Sequence, residues 1–149
     1  MKRFIGDPSQ WNTLVAGLPD AHLLQSYEWG TFKEKFGWQP AYYFWDKGSG
    51  IIQDGEQVQA AAIILKRVIP LKGFAARLCV LYVPKGPILN WNDQELRQSV
   101  FTDLQSYAID QHAIFIKIDP DIILGTGIPN QSAQKDQIMG QQVISELIS

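Results

Sequence analysis

A proline-bounded loop after an apolar strand is the first place in this chain with residues suited to bind an anion. Residues 82–87 (Tyr-Val-Pro-Lys-Gly-Pro) follow the apolar run 78–81, which is typical of a buried strand. Because each proline fixes its own φ and lacks an N–H, the two prolines end the strand and stiffen the loop. Lys85 is its only charged side chain, and Gly86 permits a close approach of the backbone.

Ligands of open α/β sheets often lie at the carboxyl ends of strands, so we interpret this loop as a candidate anion site. A rigid turn with a solvated lysine is the alternative interpretation. Tyr82, at the end of the strand, either places its hydroxyl in a cleft or packs in the core.

The surroundings of this loop are locally basic. From residue 57 to residue 92 the chain has no acidic side chain, although its formal net charge is −2. The basic residues of this stretch are Lys66, Arg67, Lys72, Arg77 and Lys85. A positive surface on a mildly acidic protein suits a phosphorylated ligand, whereas solvated hairpin ends would give the same pattern. The net charge argues against a general nucleic-acid binder.

Length and composition predict one globular domain. The 149 residues are 46% hydrophobic and 19% charged, enough apolar material for a core. One cysteine forms no internal disulfide, and with two histidines it makes a poor metal set, so we expect no metal. The basic start lacks the apolar stretch of a signal peptide, and no apolar run reaches the roughly 20 residues that span a bilayer. We therefore expect a cytoplasmic protein.

Periodicity and capping signals predict an α+β layout. Predicted helices cover residues 8–17, 26–36, 93–109 and 132–147, and predicted strands cover 2–5, 41–45, 58–68, 75–83 and 113–118. Short turns, including Asp54-Gly55, join consecutive strands into an antiparallel meander. Asn92 with Glu95 resembles a capping box for the third helix. Trp29, Phe32 and Phe36 fall on one helical face and are predicted to lie in the core.

Two motifs in this order carry a family resemblance. The first reads Leu24-Gln25-Ser26-Tyr27-Glu28-Trp29-Gly30 and is followed by Lys33 and Gly37-Trp38. The second is the loop at 82–87, followed by Ile118-Asp119-Pro120. Together they resemble the Fem family of peptidoglycan-bridge aminoacyltransferases (the FemAB family) of bacteria. The resemblance implies an α+β fold similar to the GNAT (acyl-CoA N-acyltransferase-like) enzymes, with helices packed on a mostly antiparallel sheet.

The resemblance also implies an activity and its substrates. Family members transfer an amino acid from aminoacyl-tRNA to an amine on the peptide stem of a cell-wall precursor, which is lipid II or UDP-MurNAc-peptide. No cofactor or metal is implied. Lys33 matches a lysine that contacts the phosphates of the nucleotide-linked acceptor, and its place beside Trp29 predicts an ammonium near an aromatic face.

Four residues are therefore predicted to bind substrate: Lys33, Tyr82, Lys85 and Gly86. At position 85 the usual family residue is arginine, so Lys85 loses bidentate geometry. Asp119 is interpreted either as a loop cap or as a cleft carboxylate. No residue is assigned a catalytic role. Ser26 has no histidine–acid pair and is predicted to cap a helix.

Residues 1–149 resemble the first of the two GNAT-like halves of the full family enzymes, in which the acceptor binds between the halves. We therefore expect this chain alone to be inactive. Its last helix is expected to expose apolar side chains that drive dimerisation: Ile138, Val143, Ile144, Leu147 and Ile148. Two other functions fit the same residues. One is a non-catalytic module that binds a phosphorylated ligand, and the other is a stand-alone GNAT acetyltransferase using acetyl-CoA, although the expected glycine-rich pyrophosphate loop is not evident.

Overall fold

A computed structural model describes residues 1–47, 58–70, 73, 77–126, 135–136 and 138–148. The predicted turn at Asp54-Gly55 and the predicted helix cap at Ser132 lie outside these residues.

The predicted helices and strands appear in the predicted order, but the structure adds three two-residue strands that the sequence analysis does not predict: Ile88–Leu89, Gly125–Thr126 and Lys135–Asp136. The last of these lies inside the helix predicted over 132–147, which begins only at Ile138. The helices are α1 (Pro8–Ala16), α2 (Tyr27–Glu34), α3 (Gln94–Asp110) and α4 (Ile138–Ile148), with a 3-10 turn at Leu23–Gln25. The strands are β1 (Lys2–Arg3), β2 (Gln39–Asp46), β3 (Val58–Val68), β4 (Cys79–Val83), β5 (Ile88–Leu89), β6 (Ala113–Ile118), β7 (Gly125–Thr126) and β8 (Lys135–Asp136).

Local side-chain bonds fix where the helices begin. Asp7 and Gln10 form a reciprocal capping box around Pro8, which occupies the first turn of α1. Ser26 caps α2 through a 3.3 Å bond from the Trp29 N–H to its hydroxyl, as predicted.

The cap predicted for α3 was one residue early. Asp93, not Asn92, accepts the N–H of Leu96 at 3.0 Å. Asn92 belongs to the preceding turn, in which its own N–H donates to the Asn90 side chain at 3.1 Å. The helix therefore begins at Gln94.

The sheet runs β1-β2-β3-β4-β6, and β5 also pairs with β3. The pairs β2–β3 and β3–β4 are antiparallel, which confirms the meander, whereas β6 lies parallel to β4 after the crossover through α3. β3 changes partner along its length, because Ala60 and Ala61 pair with β5 while the stretch from Leu65 onward pairs with β4. The loop at 84–87 crosses the gap between those two pairings.

Two apolar layers cover the two faces of the sheet. Residues of β3 alternate between them, with Ile63 and Leu65 facing the α1 side and Ile64 facing the α3 side. Val143 of α4 is 1% exposed and belongs to the α3-side core. The expected exposure of that helix is therefore wrong at Val143, because the chain's own sheet covers it. Ile144 is half-buried, and the side chains at 138, 147 and 148 lie outside the description.

The prediction that the aromatic face of α2 lies in the core is also wrong in part. Phe32 and Phe36 are 45% and 57% exposed, and their rings lie 4.9 Å apart against each other. The buried contact of α2 is made by Gly30, where an added Cβ would overlap the Tyr42 hydroxyl. Because an α-helix has about 3.6 residues per turn, Phe32, two residues after Gly30, lies on the side of α2 that faces away from Tyr42.

We predict that Gly30→Ala destabilises the fold by about 1–3 kcal/mol, because the new methyl group forces Tyr42 away from the Tyr27 carbonyl. Urea unfolding measures this. Gly17→Ala is the matched control, since its Cβ would meet nothing nearer than 3.5 Å, and its stability is expected to stay within about 0.5 kcal/mol of wild type. Equal stability of the two variants would contradict the close approach.

Candidate functional site

A buried glutamine holds the loop at 84–87 in place. Gln25 is fully buried; its side-chain oxygen accepts the Ile63 N–H at 2.7 Å, and its side-chain nitrogen donates to the Pro84 carbonyl. The Ile63 N–H lies in the stretch of β3 between its pairings with β4 and β5, so the glutamine supplies the acceptor that a neighbouring strand would give. The backbone carbonyl of Gln25 accepts the Trp11 indole N–H at 2.8 Å.

This contact explains Gly86. The residue is buried, and a Cβ there would lie 2.8 Å from the Gln25 side-chain nitrogen. The close approach predicted at Gly86 is thus made with Gln25 of the first motif. The two motifs of the sequence meet at this point.

Asp119 binds the other side of the loop. One of its carboxylate oxygens accepts the Lys85 N–H at 2.6 Å, and the other accepts the Tyr82 hydroxyl at 2.9 Å. Lys85 has a φ of 46°, in the left-handed region that non-glycine residues rarely adopt. The bond from the Lys85 N–H to Asp119 stabilises that conformation. Of the two roles that the sequence allows for Asp119, the structure therefore supports the loop cap.

The Tyr82 hydroxyl keeps its proton at neutral pH. Burial, followed by the hydrogen bond to Asp119 and the charge of Asp119, raises the pKa of Tyr82 to about 12. The ring is half-buried and packs against the α1-side core. Tyr82 is therefore both a packing residue and a hydrogen-bond donor at the strand exit.

The Lys85 side chain forms a weak ion pair. Its ammonium nitrogen lies 3.1 Å from an Asp121 carboxylate oxygen, and the Asp121 side chain is exposed. Ion pairs this exposed stabilise a protein by about 0–1 kcal/mol. Breaking the pair between Lys85 and Asp121 therefore costs the fold little.

Two cations that the sequence did not single out for the site stand over aromatic rings beside this loop. The Lys117 ammonium lies 5.3 Å from the centre of the Tyr82 ring, and the Arg67 guanidinium lies 5.6 Å from that of Trp38. The Trp38 and Tyr82 rings are 6.4 Å apart, so the four side chains are contiguous. Arg67 was visible as part of the basic stretch, but Lys117 joins it only because β6 pairs in parallel with β4, which places Tyr82 opposite Lys117.

A backbone hydrogen bond connects Lys33 to Trp38, one of these four contiguous side chains. The Trp38 N–H donates to the Lys33 carbonyl at 3.3 Å, just after α2 ends. The Lys33 ammonium lies 4.9 Å from the centre of the Trp29 ring, which confirms the predicted contact. That the Lys33 and Lys85 ammonium groups bind one ligand stays a prediction.

Trp29 carries a polar atom that its neighbours leave unpaired. Its indole N–H is buried and has no hydrogen-bond partner in the part of the chain that the structure describes. A buried donor without an acceptor costs about 1–3 kcal/mol. The helix edge that bears Lys33 is thus also a place where an added acceptor would be stabilised.

The described residues offer no cluster of three or more metal-ligating side chains. No helix within those same ranges has the length and hydropathy to cross a membrane.

Comparison with known proteins identifies the family. The profile of the FemAB family matches residues 9–148. The chain belongs to the FemAB family. This FemAB chain is 26% identical over 118 residues to "Lipid II:glycine glycyltransferase" of Staphylococcus epidermidis, a match that covers 79% of the chain and 26% of the relative. It is 28% identical over 117 residues to the protein of the same name from Staphylococcus haemolyticus, covering 78% of the chain and 25% of the relative.

The fold agrees with the family. This FemAB chain superposes on the crystal structure of FemX with a TM-score of 0.69 and 21% sequence identity. The match covers 99% of this chain and 31% of the FemX chain. The predicted α+β class, with helices packed on a mostly antiparallel sheet, is confirmed. The chain spans about a quarter of the length of the curated relatives it matches.

Gln25→Leu is predicted to lower the free energy of unfolding by about 2–4 kcal/mol, because it leaves the Ile63 N–H and the Pro84 carbonyl buried without partners. Urea unfolding measures the loss. The matched control is Gln98→Leu on the exposed face of α3, for which we expect a change below about 0.5 kcal/mol. A Gln25→Leu protein as stable as the control would refute the bridging role.

The bond between Tyr82 and Asp119 is testable by a double-mutant cycle. We expect Tyr82→Phe and Asp119→Asn to show a coupling energy of about 1–2 kcal/mol at pH 7, since the acceptor is a carboxylate. Tyr43→Phe paired with Asp119→Asn is the control, because Tyr43 contacts Tyr107 on the opposite face of the sheet. Additive effects in the Tyr82 cycle would contradict the contact.

Proposed function

We propose that this chain forms the acceptor-binding half of an aminoacyltransferase of the peptidoglycan bridge. It would hold lipid II or UDP-MurNAc-peptide while an amino acid moves from aminoacyl-tRNA to an amine of the peptide stem. Membership of the FemAB family and relatives named "Lipid II:glycine glycyltransferase" support this substrate class. In this proposal, residues 1–149 are a single GNAT-like domain equivalent to the first half of a two-domain transferase.

The observation that carries the proposal is the fixed backbone of Lys85. Gln25 holds the loop from one side and Asp119 from the other, so the lysine leaves the end of β4 from a defined position. A cation on a rigid support loses little entropy when it binds a phosphate. The ion pair with Asp121 neutralises the lysine in the absence of a ligand, and an incoming diphosphate competes with that single exposed carboxylate.

Lys33 is the second phosphate anchor in this proposal. Its contact with the Trp29 ring restricts the lysine side chain at the edge of α2. The hydrogen bond from Trp38 ties the end of α2 to the ring group that includes Tyr82. The two lysines therefore belong to one connected set of contacts.

The chemistry needs orientation more than covalent participation. An ester on tRNA is already activated, so the enzyme has to place a deprotonated amine beside it and stabilise the oxyanion. Tyr82 does not act as a base, because its raised pKa keeps it protonated. In this proposal Tyr82 orients the loop through Asp119, and Gly86 permits the approach of Gln25 that fixes the same loop.

Removal of either anchor tests the proposal. We expect Lys33→Ala and Lys85→Ala each to weaken the binding of UDP-MurNAc-pentapeptide about 5- to 20-fold, because a charge-assisted bond to a phosphate is lost. Isothermal titration calorimetry measures the affinity. Lys47→Ala, an exposed lysine at the end of β2, is the control and should bind like wild type. Added salt should reduce the difference between wild type and the two anchor variants.

Equal affinity in all four proteins would refute the phosphate anchors. A thermal-shift comparison with acetyl-CoA separates the acetyltransferase alternative, since only the true ligand stabilises the folded chain. Binding without any transfer, even after a second GNAT-like half is supplied in trans, would favour the non-catalytic module. Transfer from aminoacyl-tRNA by the 149-residue chain alone, at the rate of a full enzyme, would contradict its role as a half.

A further inference from the structure

Arg67 and Lys117 lie on one face of the sheet, on the two strands that flank β4. Arg67 of β3 is opposite Val80 of β4, and Lys117 of β6 is opposite Tyr82. Neighbouring strands lie about 4.8 Å apart and a strand rises about 3.3 Å per residue, so the two backbone positions are about 12 Å apart. Both side chains are exposed.

Each of these cations is held over an aromatic ring. The Arg67 guanidinium lies 5.6 Å from the centre of the Trp38 ring, and the Lys117 ammonium lies 5.3 Å from that of Tyr82. Both rings pack against the α1-side core, and their centres are 6.4 Å apart. The group therefore presents charges rather than ring faces to a ligand. A cation that is already restricted loses less entropy when it binds an anion.

The charges of the two residues are not neutralised by an ion pair within the described ranges of the chain. Lys85, in contrast, is paired with Asp121. Two positive charges on the same face of a sheet attract a ligand that carries two negative groups.

The spacing of the two cations decides between ligands. The two phosphates of a diphosphate share a bridging oxygen, so they are too close together to bind both Arg67 and Lys117 where the rings hold them. An extended peptide rises about 3.3–3.6 Å per residue, so about three or four residues span the distance between the two backbone positions. The spacing therefore favours a peptide that has a carboxylate at each end of such a stretch.

We propose that Arg67 and Lys117 form a subsite for the peptide stem of the acceptor, in which each cation binds one carboxylate. One carboxylate is the C-terminus of the stem, and the other lies about three residues before it. The planar guanidinium of Arg67 suits a carboxylate bound through two parallel hydrogen bonds, and Lys117 binds as a compact charge.

This inference rests on the proposed function, because it places the stem beside the loop whose Lys85 binds phosphate in that proposal. The two sites meet at Tyr82. Its ring lies under Lys117, and its hydroxyl donates to Asp119, which also accepts the Lys85 N–H. One acceptor molecule is then held at its phosphates and at its stem, which fixes the direction in which the stem leaves the loop.

Isothermal titration calorimetry with two ligands, UDP-MurNAc-pentapeptide and UDP-MurNAc, tests the subsite. Arg67→Gln and Lys117→Gln should each weaken binding of the pentapeptide ligand about 5- to 20-fold, because a charge-assisted bond to a carboxylate is lost. Both variants should bind UDP-MurNAc, which has no stem, within about twofold of wild type. Arg67→Lys keeps the charge without the paired hydrogen bonds and should lose less affinity than Arg67→Gln. Circular dichroism establishes that every variant is folded.

Lys66→Gln is the matched control. It removes the same charge one residue before Arg67, on the opposite face of the sheet, where the Lys66 ammonium donates to the Gln111 side chain at 2.9 Å. This variant should bind both ligands like wild type. Unchanged affinity of Arg67→Gln and Lys117→Gln for the pentapeptide ligand would overturn the proposal. So would an equal loss for both ligands, which would place these cations at the phosphates, or an equal loss in Lys66→Gln.

Titration with the free stem pentapeptide, observed by amide NMR, separates this inference from the phosphate anchors. Wild type and Lys85→Ala should bind the peptide equally, whereas the double variant Arg67→Gln/Lys117→Gln should bind it at least about tenfold more weakly. Amidation of the peptide's C-terminus should also weaken its binding to wild type, because one carboxylate is lost. A wild-type chain that does not bind the free peptide would overturn the stem subsite, and the anchors Lys33 and Lys85 would still be judged by their effect on UDP-MurNAc.

Discussion

The side chain of Gln25 is the contact on which the candidate site depends. β3 leaves one N–H without a strand partner where its neighbour changes from β5 to β4, and the Gln25 carboxamide fills that place. The same amide fixes the Pro84 carbonyl, so a gap in the sheet becomes an attachment point for a loop. Because both of its partners are buried, the amide has no substitute from solvent.

The charges around the loop follow from that attachment. With the Pro84 carbonyl bonded to Gln25, Lys85 adopts a left-handed conformation and donates its N–H to Asp119. Asp119 also accepts a hydrogen bond from the Tyr82 hydroxyl, and the Lys117 ammonium lies over the Tyr82 ring. The candidate site is thus a set of cations supported by aromatic rings or by the backbone. One carboxylate, Asp119, shapes the loop backbone, and a second, Asp121, forms an exposed ion pair with Lys85.

The sequence predicted the elements better than the contacts between them. The helix cap at Ser26 and the runs of apolar residues in the strands are local signals, and the structure agrees with them. The two motifs occur together in the sequence, but their residue types do not indicate that Gln25 contacts the second motif. A glutamine next to a helix cap is expected to be exposed to solvent. Gln25 is buried because it supplies the acceptor for the Ile63 N–H, where β3 has no neighbouring strand.

Other differences have the same origin. Helical spacing predicts a buried face at Phe32 and Phe36, but it does not say which side of α2 meets the sheet. That side carries Gly30, which lies against Tyr42, and the two phenylalanines are exposed. Lys117 lies beside Tyr82 because β6 pairs in parallel with β4 after the crossover through α3. A short-range sequence pattern does not predict which strands pair in this way. The cap of α3 lies one residue after the predicted one, because Asn92 takes part in the preceding turn while Asp93 accepts the first helical N–H.

Titration of the ¹⁵N-labelled chain with UDP-MurNAc-pentapeptide, followed by amide NMR, tests whether the loop held by Gln25 and Asp119 binds the phosphates of the acceptor. We expect the largest shift changes at the backbone amides of Lys85 and Gly86, at the Gln25 side-chain amide, and around Lys33 on α2. Changes confined to α3 and α4, on the opposite face of the sheet, would contradict it.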